Sequence, residues 1–192
     1  MKKIIYQSGN INDPKKALIM IHGRGGSAQD IMAIAEYLNV EDFLLIAPEA
    51  EQNSWYPNSF IAPVSSNQPK LDQALDHINQ SIQVAQDKGI IAENIYILGF
   101  SQGACLALEY SCRNAEKYGG DSAFQHKQHN FMDTPVFIGT SDPDFHVPVE
   151  RVKDSAKIMQ ELGARVEMRI YPNMGHTITQ DEIKIVNQVI FN

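Results

Sequence analysis

The pentapeptide Gly99-Phe100-Ser101-Gln102-Gly103 carries the clearest chemical signal in this sequence. It follows the apolar run Ile95 to Leu98 directly and opens a helical pattern over Ala104 to Arg113, so Ser101 is expected in a tight strand-to-helix turn. In such a turn the strand end and the helix start nearly touch, which demands small residues two before and two after the serine. Gly99 and Gly103 meet both demands. The turn also aims the free N–H groups of the helix N-terminus at negative charge that develops beside the hydroxyl. The chemistry this suits is nucleophilic attack on a carbonyl. An ordinary glycine turn is the bland alternative, and the flanking strand and helix patterns weigh against it.

A serine hydroxyl is a weak nucleophile until a base takes its proton, and the base must itself be oriented by a third group. Around this kind of turn the chain order is serine, acid, histidine, each at the C-terminal end of a strand. Of six histidines, His22 precedes Ser101, His77 lies in a helical stretch, and His126 and His129 sit in a polar segment. His176, in Tyr171-Pro172-Asn173-Met174-Gly175-His176, follows a late strand pattern and is the expected base. The acid should follow Val136 to Gly139, where Asp142 and Asp144 both stand before Pro148. Asp-Pro is a strong turn former, so either aspartate could serve the backbone alone.

His22-Gly23-Arg24-Gly25-Gly26 follows the first central strand pattern. Its glycines let the backbone approach an anionic oxygen, and the backbone amides of Arg24 and Gln102 are the expected oxyanion-hole donors. The Arg24 side chain reads as a solvated charge. A phosphate cradle is the rival reading, but the Gly-x-x-x-x-Gly-Lys pattern is absent. His126 and His129 have no acidic or cysteine partner at ligand spacing, so no metal is expected. The chemistry calls for no organic cofactor either.

The elements that must position these groups alternate between two periods. Ala17 to Ile21, Phe43 to Ala47, Ile95 to Leu98 and Val136 to Ile138 are near-continuous apolar runs, as suits central strands of a mostly parallel sheet covered on both faces. Val166 to Ile170 alternates with period two and suits a strand nearer an edge, and Lys2 to Tyr6 suits another edge. Leu71, Leu75, Ile78, Ile82 and Ala85 define a helix between Pro69 and Gly89. Further helices are expected over Ile31 to Leu38 behind Ser27, over Val149 to Met159 behind Pro148, and over Ile183 to Ile190 behind Thr179. The long irregular stretch from Pro48 to Gln68 has a length usually reserved for function.

Composition narrows the partners. Sixteen Lys and Arg against 23 Asp and Glu give a net charge of −7, which offers nothing to a phosphate backbone or an anionic membrane surface. A small-molecule substrate is favoured. With 192 residues and 43% hydrophobic content, one domain over 1–192 is expected, burying roughly 70% of the surface of the unfolded chain. Cys105 and Cys112 lie seven apart in one helical pattern, too far apart to bridge, and read as reduced thiols of a cytoplasmic protein. The first residues hold too short an apolar run for a signal peptide, and no stretch approaches the roughly 20 residues of a membrane span.

The set Leu18-Ile19-Met20-Ile21-His22-Gly23-Arg24-Gly25, Ser54-Trp55-Tyr56-Pro57, Asn67-Gln68-Pro69, Gly99 to Ala104 and Gly175-His176 resembles the phospholipase/carboxylesterase family of α/β-hydrolases over almost the whole chain. The resemblance implies a mostly parallel sheet flanked by helices with no large lid domain. It implies action on carboxylic esters, lysophospholipids or thioesters. The family places its acid in an Asp-x-x-Val-Pro stretch, and Asp144-Phe145-His146-Val147-Pro148 has that spacing, so the resemblance favours Asp144. It also implies that His22, Gly23, Trp55, Tyr56 and Met174 meet the substrate, with core packing an equal alternative for Trp55. A homodimer is compatible with all of this.

One departure stands out. The family would place an interior strand just after Tyr118-Gly119-Gly120, yet Asp121 to His126 would bury polar groups there at a cost of several kcal/mol unless they are paired. The rival readings are a non-catalytic binding protein of the same fold and a hydrolase of another bond, such as a lactone or a peptide. A lactone hydrolase of the related dienelactone kind would normally carry cysteine where this chain has Ser101.

Overall fold

The computed structural model describes residues 4–114 and 131–192. These fall into two compact units, one of residues 4–36 and 40–111 and the other of 37–39, 112–114 and 131–192.

In the first unit, β2 (Lys16–Ile21) carries five consecutive apolar residues, Ala17 to Ile21, and all five are fully buried. β3 (Phe43–Pro48) is buried throughout. Such runs have no polar face to give to solvent, so they form strands covered on both faces. β2 pairs in parallel with β3 on one side and with β4 (Ile95–Gly99) on the other. β1 (Ile5–Gly9) closes the edge, antiparallel to β3, in the order β1-β3-β2-β4. The edge strand expected over Lys2 to Tyr6 thus runs three residues later, to Gly9, whose left-handed φ of +72° ends it.

α2 (Lys70–Asp87) packs against β2 and β3 with Leu71, Leu75, Ile78 and Ile82 buried, each contributing roughly 1.5–3 kcal/mol of burial. Pro69 is its N-cap, and Gly89 at φ +81° follows its end, so the helix lies between the two as expected. α1 (Ala28–Met32) starts at a capping box formed by Ser27 and Asp30. The helix expected to continue to Leu38 instead tightens into a 3₁₀ segment, Ala33–Tyr37, in which no residue is buried. Five residues make too few i→i−4 bonds to propagate without packing. α3 (Gln102–Arg113) follows β4 and carries the serine turn at its start.

The second unit is built on β5 (Pro135–Asp142) and β6 (Arg165–Pro172), paired in parallel from Pro135 opposite Arg165 to Asp142 opposite Pro172. α4 (Val149–Glu161) packs on both strands, with Val152, Ala156 and Met159 buried, and α5 (Gln180–Val189) packs on β5. The Thr179 and Glu182 side chains form the capping box that starts α5. β4 and β5, expected as central strands, each have one strand partner among the described residues. The interior strand anticipated over Asp121 to His126 lies outside the described residues, as do His126 and His129. No described helix is long and apolar enough to cross a membrane.

Candidate active site

In the first unit the turn between β4 and α3 holds Ser101 at a φ of 54°, a left-handed conformation that costs a non-glycine residue about 1–3 kcal/mol. The glycines around it are there because nothing else fits. A Cβ on Gly99 would stand 2.3 Å from the Gly103 carbonyl oxygen, and one on Gly103 would stand 2.1 Å from that of Ile21. The Phe100 amide donates to the Ile21 carbonyl at 3.2 Å, and the Gly103 amide closes the turn onto the Phe100 carbonyl at 2.9 Å. One helical turn on, burial pushes the Cys105 thiol up to about 11, so it stays protonated and is no competitor as a nucleophile. Neither Cys105 nor Cys112 is in a disulfide.

The glycine loop after β2 lies against this turn. A Cβ on Gly23 would come within 3.2 Å of the Ser101 Cβ, so a larger residue would crowd the serine turn. Among the described residues the backbone amides of Arg24 and Gln102 donate to no other group, whereas the Gly25 amide is spent on the Asn53 carbonyl at 2.7 Å and the Gly26 amide on that of Gly23 at 3.1 Å. His22 is buried, and its Nε2 accepts from the Ala50 amide at 3.1 Å. Its proton therefore sits on Nδ1, 2.7 Å from the Gly23 carbonyl. His22 holds backbone in place.

Side chains the sequence left unplaced complete this framework. The Arg24 guanidinium, expected to be a solvated charge, donates to the carbonyls of Tyr56 at 2.8 Å, Pro57 at 3.0 Å and Asn58 at 2.9 Å. The Gln102 carboxamide accepts from the Trp55 amide at 3.0 Å and donates to the Tyr56 carbonyl at 3.0 Å. Trp55 is only 4% exposed and donates from its indole to the His22 carbonyl at 2.8 Å, which is a packing role. Tyr56 is buried as well, and burial drives its hydroxyl pKa upward. Asn53, in a left-handed conformation at φ 57°, donates its side-chain amide to the Gly26 carbonyl at 2.8 Å. Nothing in the sequence marks Asn53, because its partners are backbone groups distant along the chain.

In the second unit the chain leaves β5 and β6 side by side. The Asn173 amide donates to the Asp142 carbonyl at 3.0 Å, and the Gly175 amide to the Ser141 hydroxyl at 3.1 Å, which ties the two strand exits together. This brings Asp144 Oδ2 within 2.8 Å of His176 Nδ1. The other carboxylate oxygen of Asp144 accepts from the amides of His146 at 2.7 Å and Val147 at 3.1 Å. Burial opposes ionisation of Asp144, but these hydrogen bonds from His176, His146 and Val147 outweigh it and hold its carboxyl below the usual value. Asp142, the other candidate, is exposed at the end of β5. The His146 ring lies 4.6 Å from that of His176, and Met174 is half-buried nearby in the chain. Among the described residues no group of three or more His, Cys, Asp or Glu is arranged to hold a metal ion.

The sequence profile of the phospholipase/carboxylesterase family matches residues 7–191. The chain belongs to that family. It is an ester hydrolase with the α/β-hydrolase fold, a mostly parallel sheet flanked by helices and no large lid domain among the described residues. It is similar to the solved phospholipase/carboxylesterase from Dyadobacter fermentans, at 46% identity and a TM-score of 0.91, covering 100% of this chain and 97% of that one. Acyl-protein thioesterase 1 of Saccharomyces cerevisiae is 28% identical, with 92% of each chain covered. The Bacillus cereus carboxylesterase shares the fold at a TM-score of 0.77 and 18% identity, covering 97% of this hydrolase and 92% of that chain.

Proposed function

We propose that this hydrolase cleaves carboxylic esters through an acyl-enzyme intermediate. Ser101 attacks the ester carbonyl while His176 takes its proton. Asp144 holds the imidazole in the tautomer that presents Nε2 as the acceptor and stabilises the imidazolium that forms. The Arg24 and Gln102 amides receive the oxyanion. His176 then returns the proton to the leaving oxygen, activates water, and the acid product departs. The observation that carries the reading is the strained left-handed φ of Ser101 between two glycines that no larger residue can replace. The 2.8 Å bond between Asp144 and His176 supports it from the other unit.

We read residues 1–192 as a single domain, because the family match runs through both units from 7 to 191. We take the protein to be cytoplasmic and to require neither metal nor organic cofactor. Esters of small alcohols are the proposed substrates, with thioesters second in view of the likeness to a protein named acyl-protein thioesterase 1, and lysophospholipids third.

The test is a series of p-nitrophenyl esters of increasing acyl length, run beside an acyl thioester and a lysophospholipid. Saturable hydrolysis of at least the short esters is expected. A folded protein that turns over none of these substrates contradicts the reading and favours a binding protein.

A further inference from the structure

Arg24 and Gln102 come from different loops, yet their side chains meet at one atom. The Arg24 Nη2 donates to the Tyr56 carbonyl oxygen at 2.8 Å, and the Gln102 Nε2 donates to the same oxygen at 3.0 Å. The Ser54 hydroxyl donates to that oxygen too, at 3.1 Å, so three side-chain donors hold one carbonyl. The peptide that carries this carbonyl is itself fixed. Its neighbour Trp55 donates backbone N–H to Gln102 Oε1 and indole N–H to the His22 carbonyl, and Arg24 grips Pro57 and Asn58 as well.

The backbone amides of these two residues are the proposed oxyanion donors. We propose that the Tyr56 carbonyl is a shared anchor that sets their spacing, so that Arg24 and Gln102 act as positioning residues through their own side chains. This rests on the oxyanion assignment above. Two donors serve a tetrahedral intermediate only if both lie about 2.7–3.1 Å from one developing oxyanion. Arg24 sits among Gly23, Gly25 and Gly26, whose backbone freedom would let its amide drift. A guanidinium tethered to three carbonyls removes that freedom. A helix start at Gln102 tethered to one of the same carbonyls shares the reference point.

The experiment uses the full chain carrying Arg24→Met, Gln102→Met or both, which leaves every backbone amide in place. With p-nitrophenyl acetate, kcat of each single variant is expected to fall about 10- to 100-fold, less than the ~10²–10³ lost when a donor is deleted, while KM stays nearly constant. Because the two act through one anchor, the double variant should lose about as much as the worse single and not the product of the two losses. In Arg24→Ala, added guanidinium at millimolar concentration should restore part of kcat. That readout decides alone if Gln102→Met fails to fold. Labelling of wild-type Ser101 by a fluorophosphonate is run in parallel. Absence of the label overturns the catalytic reading itself. A labelled wild type whose single variants keep full kcat, or whose losses multiply in the double variant, overturns the shared anchor alone.

Discussion

Ser101→Ala is expected to lower kcat for a p-nitrophenyl ester by roughly 10⁵- to 10⁶-fold and to leave KM and the melting temperature nearly unchanged. Removal of the hydroxyl deletes the atom that forms the covalent bond, so no other group can substitute by degrees. The turn should survive, because alanine at φ +54° bears the same left-handed strain that serine does and adds no bulk. A residual rate of roughly 10³–10⁴ over water is expected from the oxyanion donors and substrate binding alone. Steady-state kinetics and thermal melting check both halves. A variant that retains more than a few per cent of wild-type kcat removes Ser101 from the chemistry.

Asp144→Asn should cost kcat about 10⁴-fold, and Asp142→Asn no more than a few-fold. The reason is a proton. Asp144 Oδ2 accepts from His176 Nδ1 at 2.8 Å, which keeps the proton on Nδ1 and makes Nε2 the basic nitrogen. An asparagine there can present its N–H₂ instead, which favours the tautomer with the proton on Nε2. The same pair makes a pH prediction. Because the Asp144 carboxyl is held below its usual value, its contribution to stability is fully present above the ordinary aspartate value of about 3.9 and is lost as pH falls through the depressed one. Melting temperatures of wild type and Asp144→Asn should therefore differ most near neutrality and converge in strong acid. A larger kcat loss at Asp142 would reverse the assignment of the acid.

The secondary elements were largely legible because they depend on local chemistry. Ala17 to Ile21 had no polar residue to expose, and Ser27 with Asp30 and Thr179 with Glu182 showed their caps at a spacing of three. The helix after Ser27 ends earlier than Ile34, Ala35 and Leu38 suggest, because their apolar spacing does not reveal that no residue of Ala33–Tyr37 is fully buried. The two acids could not be separated by turn propensity. The family spacing favoured Asp144, and the structure gives Asp144, not Asp142, the bond to His176. Arg24 and Trp55 were opaque for a different reason. Their partners are backbone carbonyls, Tyr56 to Asn58 for the guanidinium and His22 for the indole, and a carbonyl leaves no trace in residue identity.

The most direct test of the account is to trap the intermediate. The protein is mixed with a bulky p-nitrophenyl ester whose acyl group is released slowly, quenched in acid, and examined by intact-mass and peptide mass spectrometry. The predicted result is a burst of p-nitrophenol equal to the enzyme present, with one acyl group added per chain and mapped to Ser101. Turnover with no burst and no adduct, or an adduct on another residue such as Cys105, would contradict it.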